Sequence, residues 1–366
     1  MRFNKKNKIM DCIFGFPAPK FLRMPFVGIT ISDHSIKVME FLNKENHYAL
    51  GRYDDIPIER DIVVSGKVVK ENALTDILSL IKERYKIDLI KATMPEEIAY
   101  LFKIELPAAA MENLYSAIEF KMEEYVPISA SEAIFDYEII KNINNFGKVE
   151  VNVSAISEEF VERYLSIFHN AGMIPISLEI EAQAMKRAIV PKNDKGIYML
   201  IDIGRTRTGL AIVSEGTLRY TSTLTIGGDA FVEATQKHLS LSFAEADKIK
   251  QEIGFIEVSE YKGLYEALVI TGSALEEEIK KRISYWNEHT DSGGRQRSPI
   301  QKIILCGGNA SMPGFREYLS FRIKMPVELA NVWANAFSFD DYIPDIDFKH
   351  SLGYASVIGL ALNKED

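Results

Sequence analysis

Three stretches of this chain carry residue types and spacings suited to gripping a phosphorylated ligand. In the richest, a run of strand formers, Ile197–Ile203, enters Gly204-Arg205-Thr206-Arg207-Thr208, and Leu210–Val213 leaves it. Successive backbone N–H groups in such a tight turn converge on one point and form an anion-binding concavity. Gly204 tolerates positive φ and lets a phosphate approach the backbone, while Thr206 and Thr208 add hydroxyl donors. Asp202 ends the incoming strand. It is placed to hold Mg2+ directly or through water, because that cation keeps several waters and takes one or two carboxylates.

The second stretch is an echo of the first. Ile29-Thr30-Ile31-Ser32 aligns with Ile201-Asp202-Ile203-Gly204 at an offset of 172 residues, and Asp33-His34-Ser35 then turns the chain into Lys37–Leu42. One strand–turn–strand is an ordinary object. Two at similar places in two half-chains predict a duplicated fold with two facing lobes. The third stretch is Ile303-Ile304-Leu305-Cys306-Gly307-Gly308-Asn309-Ala310-Ser311-Met312-Pro313-Gly314-Phe315. A buried strand, a double glycine and a helix start with an early proline let a flat ring or a ribose lie against the backbone.

Alternating strand and helix patterns must position these turns. Residues 72–85 place Leu74, Ile77, Leu78, Ile81 and Tyr85 at helical spacing, and Tyr100–Ile104 reads as a strand. Met111–Tyr125 predicts a helix with Leu114, Ile118 and Met122 on one face, followed by a strand at Val151–Ile156. A helix is expected over Glu158–Asn170, ending near Gly172, and a strand over Ile174–Ile180. Ser242…Glu245 and Ser273…Glu276 both have capping-box spacing, so each predicts a helix start. Residues 287–299 read as a polar, disorder-prone loop, and GYASVIGLALN near the C-terminus as a helix whose small residues permit close packing.

Composition limits the function classes. The chain has 366 residues, 47% apolar and 26% charged, which suggests two lobes or domains of an ordinary globular protein. Its formal net charge of −9 argues against a general nucleic-acid or anionic-membrane binder, since both need a basic face. No apolar run is long enough for a transmembrane helix. The start lacks the pattern of a secretory signal. Cys12 and Cys306 are the only cysteines, which excludes a disulfide scaffold and fits a reducing cytoplasm. Residues 1–25 form a basic tail in which Arg2, Lys5, Lys6, Lys8, Lys20 and Arg23 face Asp11 alone. A frayed terminus is the plain reading, and transient attachment to an acidic leaflet, at about 1 kcal/mol per basic charge, is the sharper one. His34 reads as a solvated turn histidine, with contact to a phosphate as a cation the sharper alternative, and the remaining histidines show no metal-ligand spacing.

The three motifs, in this order, resemble those of the actin-like ATPase superfamily: 27–42 and 199–213 match its two phosphate loops, and 303–315 its adenosine motif. Glu181–Ile189 and Gly353–Leu362 match its two interlobe connecting helices. Within the superfamily the chain most resembles the PilM family of type IV pilus assembly. That resemblance rests on Ser35-Ile36-Lys37-Val38; Ile104-Glu105-Leu106-Pro107 with Ala117-Ile118-Glu119-Phe120 and Glu124-Tyr125-Val126-Pro127; Asp136-Tyr137; Gly227-Gly228-Asp229 with Ala244-Glu245-Ala246-Asp247-Lys248; and Gly308…Pro313-Gly314-Phe315. It covers roughly residues 26–363. The fold it implies is α/β, an actin-like (ribonuclease H-like, duplicated) two-lobed fold with an inserted subdomain of the FtsA/PilM type. The implied division is a tail at 1–25, subdomain IA beginning at 26–90, inserted subdomain IC at 90–172, and the rest of IA with the first connector at 173–195. Subdomain IIA follows at 196–230, IIB at 231–300, the remainder of IIA at 301–345 and the second connector at 346–366. The chain ends straight after that connector, which disfavours an FtsA-like membrane helix.

Carried over residue by residue, the resemblance places Ser32, Asp33, Ser35 and Lys37 at the first phosphate loop and Asp202, Gly204, Thr206 and Thr208 at the second. Gly227 and Gly228 fall near the phosphates or sugar. Glu245 and Lys248 reach the ribose or adenine, and Gly307, Gly308, Asn309 and Met312 line the adenine. The implied cofactors are ATP or ADP with Mg2+ at Asp202. The sequence departs from the family where the first loop normally reads Asp-Ile-Gly: Thr30 supplies no carboxylate, and Ser32 costs conformational freedom where Gly is relaxed and sets a side chain against a γ-phosphate. ATP binding is therefore expected, with hydrolysis weak or absent. Glu181 and Gln183 are the only candidates for a water-positioning base, and both also read as helix-surface residues.

The function implied is a cytoplasmic, nucleotide-binding adaptor, peripheral at the inner membrane through its partners. It would bind the N-terminal peptide of PilN and link the alignment complex to the pilus motor ATPases, with self-association open and no nucleic-acid partner. The competing readings are an FtsA- or MreB-like filament-forming ATPase, a catalytic ATPase or small-molecule kinase of the same superfold, and a pseudo-ATPase scaffold that binds no nucleotide.

Overall fold

The computed structural model describes residues 25–44, 47–141, 147–290 and 296–362. The expectations for the basic N-terminal tail and for the centre of the 287–299 loop (291–295) fall outside the described residues. The chain divides into two units. The first runs to Arg187 and also takes Ala336–Ile343 and the chain from Ser356, and the second comprises Ala188–Asn335 and Pro344–Ala355.

The first unit is built on β1 (Val27–Ile31), β2 (Ser35–Asn43) and β3 (Tyr48–Pro57). After a short hairpin, β4 (Val63–Val64) and β5 (Lys67–Val68), come helix α1 (Glu71–Tyr85) and β6 (Leu89–Met94). All five residues of β1 are buried, because its sheet is covered on both faces. Helix α1 buries Leu74, Leu78 and Ile81, the stripe that its spacing predicts. An inserted layer follows: β7 (Ala99–Pro107), α2 (Leu114–Met122), β8 (Ala133–Lys141) and β9 (Lys148–Ser157), the strands ordered β7-β9-β8 and antiparallel. Leu114, Ile118 and Met122 of α2 pack on Ile104, Leu106, Val149, Val151 and Val153 of that sheet. The α-helix here is shorter than the expected Met111–Tyr125. Residues Ala108–Asn113 form a 3-10 turn, and Asn113 caps α2 by accepting the Ser116 amide.

Helix α3 (Glu158–Asn170) and β10 (Ile174–Ile180) have the expected limits, and Gly172 between them has φ 73°. The five-stranded sheet has the order β10-β6-β1-β2-β3, with β6 and β10 parallel to β1 and the β1–β2–β3 meander antiparallel. Helix α4 (Glu181–Ile189) then leads to the unit boundary.

The second unit holds β11 (Ile197–Ile203), β12 (Thr208–Ser214), β13 (Thr217–Leu224), α5 (Gly228–Leu239), α6 (Phe243–Glu252) and α7 (Leu264–Glu288). It continues with β14 (Lys302–Cys306), α8 (Phe315–Ile323), β15 (Val327–Leu329) and the short α9 (Phe348–Ser351), before α10 (Ala355–Leu362) returns to the first unit. Its sheet order is β13-β12-β11-β14-β15, an antiparallel meander flanked by two parallel strands. This repeats the first sheet strand for strand, so the echo between Ile29–Ser32 and Ile201–Gly204 is a true topological duplication.

One helix start is corrected. Ser273 does not open a helix, because it lies inside α7, which already began at Leu264 after Gly263 (φ 81°). The amides there are engaged by the preceding turn, and the Ser273 hydroxyl donates back to the Ile270 carbonyl at 2.8 Å. Glu276 is buried instead, where it accepts from Lys280 (2.6 Å), Arg322 (2.8 Å) and Tyr318 (3.3 Å). Burial and the Glu276 charge push the Tyr318 phenol up to about 12.

The C-terminal helix meets its neighbours as its small residues allow. A Cβ on Gly359 would sit 1.7 Å from the Ala184 carbonyl oxygen of α4, and one on Gly28 of β1 would sit 3.0 Å from the Val357 carbonyl oxygen. Arg187 of α4 secures the crossing by donating to the Gly359 carbonyl (2.8 Å) while paired with Glu179 through both nitrogens.

Candidate functional site

The second hairpin turn is held by three convergent elements of its own unit. The Gly204 carbonyl accepts the Gly228 amide (2.9 Å) and the Asn309 side-chain amide (3.0 Å), and the Arg205 carbonyl accepts the Asp229 amide (2.8 Å). Arg205 returns an ion pair to Asp229 at 2.9 Å. Thr208 is fully buried and donates to the Ile226 carbonyl at 2.6 Å, so its hydroxyl closes the turn rather than facing outward. Thr206, in contrast, is exposed at the turn's apex.

The glycines record how tightly these elements approach. A Cβ on Gly227 would lie 2.5 Å from the Arg207 nitrogen, and one on Gly228 would lie 2.4 Å from the Asn309 amide. Gly307 has φ 93°, and a Cβ there would lie 2.3 Å from Asp202 Oδ1. Gly308 differs from these three: it is exposed, and a Cβ there would meet nothing within 4 Å. Its backbone is thus an open shelf beside the turn, of the kind on which a flat group can rest. Met312 is buried below that stretch.

Asn309 is the hub. Only 7% exposed, it donates to Gly204 and accepts at 2.8 Å from Lys250 Nζ, which is itself buried and paired with Asp247 at 2.7 Å. Sequence reasoning placed Glu245 and Lys248 of this helix at the ligand and passed over Asp247 and Lys250. The structure binds Glu245 into the capping box of α6, where its carboxylate accepts from the Ser242 amide (2.9 Å) and hydroxyl (2.6 Å), contacts that lower its pKa. Lys248 is exposed and lies 3.9 Å from Glu252. The inward face of α6 carries Ala246 and Lys250, and this four-residue spacing from an apolar position was the available signal.

Asp202 is half-buried and pairs in register with Cys306 across β11 and β14. The Cys306 thiol is raised well above its ordinary range, mainly by burial and further by the Asp202 charge. Among the described residues no group of three acidic, histidine or cysteine side chains gathers to hold a metal. A lone carboxylate at the strand end still fits Mg2+, which binds through one or two carboxylates when phosphates and water complete its shell.

The first hairpin turn is built differently. The Ser32 hydroxyl sits inside it, donating to the Ser35 carbonyl (3.0 Å) and accepting the amides of Ser35 (3.1 Å) and His34 (3.4 Å). Donors that form a phosphate cradle in an open turn are engaged here by the chain's own side chain. Asp33 is buried and accepts the amides of Ser65 and Gly66, each at 3.2 Å, so it fastens the β4–β5 turn. Lys37 donates to Ser35 Oγ (3.0 Å) and pairs with Asp55 (3.2 Å). On α4, Glu181 and Gln183 are half-buried, and the Ala182 amide between them is held by Glu96 at 3.2 Å.

A family model described as type IV pilus assembly protein PilM matches residues 28–365. Among solved structures, a PilM-PilN type IV pilus biogenesis complex aligns with a TM-score of 0.75 and 20% identity, covering 93% of this chain and 98% of that one. The ethanolamine utilization protein EutJ from Carboxydothermus hydrogenoformans aligns at 0.53 and 17% identity, covering 97% and 96%. MreB5 of Spiroplasma citri bound to ADP aligns at 0.53 and 15%, covering 85% and 93%. These likenesses establish the actin-like fold. The cell division protein FtsA of Bacillus subtilis (strain 168) is 25% identical over 183 residues, which span 46% of this chain and 41% of that relative's length. No helix among the described residues is long and apolar enough to cross a membrane.

Proposed function

Because the chain belongs to the type IV pilus assembly protein PilM family, we propose that it is an ATP- or ADP-binding adaptor of a pilus assembly machine, working in the cytoplasm at the inner membrane through its partners. The partner we assign is the N-terminal cytoplasmic peptide of PilN, taken in a groove between the first lobe and the inserted subdomain of about residues 90–172. The likeness of this chain to one solved in a PilM-PilN complex supports that assignment. Through PilN the protein would link the alignment complex to the pilus motor ATPases.

The observation that carries nucleotide binding is the hydrogen-bonded chain Asp247–Lys250–Asn309–Gly204 beside the open backbone of Gly308. It ties the backbone of the second turn to the double-glycine stretch, which supports a nucleotide site arranged before any ligand arrives. The nucleotide would supply the phosphate charge and the bridging Mg2+. This chain's residues would hold it: Thr206 and the turn amides at the phosphates, Asp202 at Mg2+, and Gly308 under the flat base or sugar. Hydrolysis is weak or absent, since Thr30 and Ser32 stand where the family has Asp and Gly, and Ser32 fills the first turn.

Thermal unfolding with and without ATP, ADP and Mg2+ tests this reading. Saturating nucleotide at a hundredfold excess over Kd stabilises by about 2.7 kcal/mol, and Lys250→Met should remove about half of that gain or more. A second reading, a scaffold that binds no nucleotide, is favoured by the closed first turn alone, and the absence of any thermal shift would select it. Titration of the PilN N-terminal peptide from the same genome tests the adaptor role separately, and no binding at high micromolar peptide would remove it.

A further inference from the structure

We propose that the β4–β5 hairpin is a transmission element, which passes the state of the first hairpin turn to the inserted layer of the same unit. The hairpin has only two residue pairs, Val63 with Val68 and Val64 with Lys67. A lone two-stranded hairpin is marginal in water, so the contacts of its turn decide where that turn sits. Ile62, Val63 and Val68 are buried and root its base, whereas Val64 and Val69 are exposed. The linking residues Ser65 (φ 49°) and Gly66 (φ 74°) are both left-handed, the pattern of a tight two-residue hairpin turn.

Contacts from three directions converge on that turn. From the first hairpin turn, the Asp33 carboxylate accepts the Ser65 and Gly66 amides, each at 3.2 Å. The other two directions are the connections by which the chain enters and leaves the inserted layer. On the way in, Pro95 precedes the short 3-10 turn Glu96–Ile98 that leads into β7. A Cβ on Gly66 would lie 2.5 Å from Pro95 Cβ, so the hairpin turn rests directly on this connection. On the way out, α3 follows β9 at once, and Tyr164 of α3, 1% exposed, donates its hydroxyl to the Gly66 carbonyl at 3.0 Å. Lys67 Nζ stands 6.0 Å from the centre of the Phe160 ring on the same helix.

Gly66 therefore gives its amide to the first hairpin turn and its carbonyl to α3, with Pro95 against its Cα. A turn rotation that frees the amide also moves the carbonyl, because one residue carries both. Asp33 and Tyr164 thus bias one two-state element, docked or undocked, which is the physical requirement for coupling between distant groups. A group that draws Asp33 away from Ser65 and Gly66 loosens both connections of the inserted layer. A partner that shifts α3 acts back on the first hairpin turn by the same free energy. This coupling lies within the first unit and requires neither nucleotide nor PilN.

Amide hydrogen exchange on the full chain, without ligand, tests it. Asp33→Asn leaves one acceptor oxygen where there were two, and Tyr164→Phe removes only a hydroxyl. Each variant should speed exchange about tenfold at Ile98 and Ala99 on the way in and at Glu162–Tyr164 on the way out. Exchange in β11 and β12 of the second unit should not change. The double variant should exceed the stronger single one by less than about twofold, because both release the same turn. Glu40→Gln, which disturbs the pairing with Arg52 elsewhere in the first unit, is the control and should leave both connections protected. Equal acceleration by all three variants, or full additivity in the double variant, would overturn the proposal. Should Asp33→Asn not fold, Tyr164→Phe reads the coupling in reverse, through faster exchange of the Ser65 and Gly66 amides that Asp33 holds, and unchanged exchange there would equally overturn it. One further arm rests on the proposed PilN partner: Asp33→Asn should weaken the peptide at least threefold, since loosened connections must be ordered on binding. Unchanged peptide affinity in that variant would count against the coupling, whereas no binding by the wild type would remove the partner and leave exchange to decide.

Discussion

The two hairpin turns of this protein share a strand order and a place in their sheets, yet they dispose of their backbone donors in different ways. In the first, Ser32 takes the amides of His34 and Ser35 into its own hydroxyl, and Asp33 turns away to fasten a neighbouring hairpin. In the second, Gly204 leaves no side chain in the turn, and the loop is instead braced from outside by Gly228 and Asn309 on its carbonyl. The two copies share the scaffold, while the first turn is satisfied by its own side chain and the second is braced from outside. A self-satisfied turn is stable without ligand, whereas the braced turn is organised around an accessible apex.

The largest expected effect lies at the bracing glycines. Gly307→Ala forces an L residue to φ 93° and drives its Cβ against Asp202 and the Ile203 backbone. It should lower the unfolding free energy by about 3 kcal/mol or more, given strain costs of about 1–3 kcal/mol with the steric clash added. Urea denaturation reads this directly. A neutral outcome would mean that the second turn is not braced as described.

Next comes Lys250→Met, which leaves the buried Asn309 oxygen without its donor and should cost about 1–3 kcal/mol. If the second turn holds phosphate as proposed, nucleotide affinity should fall at least tenfold for ADP and by clearly less for adenosine, because the lysine acts through Asn309 on the backbone of that turn. Equal losses for both ligands would show that Lys250 serves only general packing. Glu245→Ala, on the same helix, should leave affinity unchanged while fraying the start of α6, as helix-specific hydrogen exchange would reveal.

Ser32→Gly sharpens the contrast from the other side. It removes about 1 kcal/mol of turn stabilisation and releases the turn amides. Binding of inorganic phosphate or ATP should then strengthen two- to tenfold, as read by calorimetry. Unchanged binding would mean that the first turn's occupancy has no bearing on ligand.

The smallest effect concerns pH. Glu40 of β2 is held below the usual carboxylate range mainly by its side-chain hydrogen bonds from Arg52 of β3, at 2.7 Å to each oxygen. A lowered folded pKa contributes stability that is present above the unfolded carboxylate pKa and is lost as pH falls through the folded value. Wild type and Glu40→Gln should therefore differ in urea midpoint at pH 7 and converge only once the pH has fallen below the range in which ordinary carboxylates protonate. A gap that persists at low pH would assign the difference to shape rather than charge.

Much of the fold was legible because local rules dominate it. The limits of α3, β10 and β11 follow from apolar periodicity and from Gly172, and the Ser242–Glu245 capping box forms as its spacing predicts. The same spacing at Ser273 misled, because a capping box needs a break in the preceding helix. Leu264–Thr271 continue without one. At the site, the glycines and Asn309 could be found from the strand-to-turn pattern. Lys250 could not be separated from Lys248 by composition, since only the packing of α6 on its neighbours decides which lysine turns inward.

By itself the sequence determined the alternation of strands and helices, the duplication and the loss of Asp and Gly from the first turn, since each is written in residue type and spacing along a few neighbouring positions. Tertiary structure alone decided that Ser32 closes its own turn, that Asp33 serves another hairpin and that Lys250 reaches Asn309 across 59 residues. Hydrogen-bond partners are chosen among all groups that folding brings within about 3 Å, and separation along the chain carries no record of that choice.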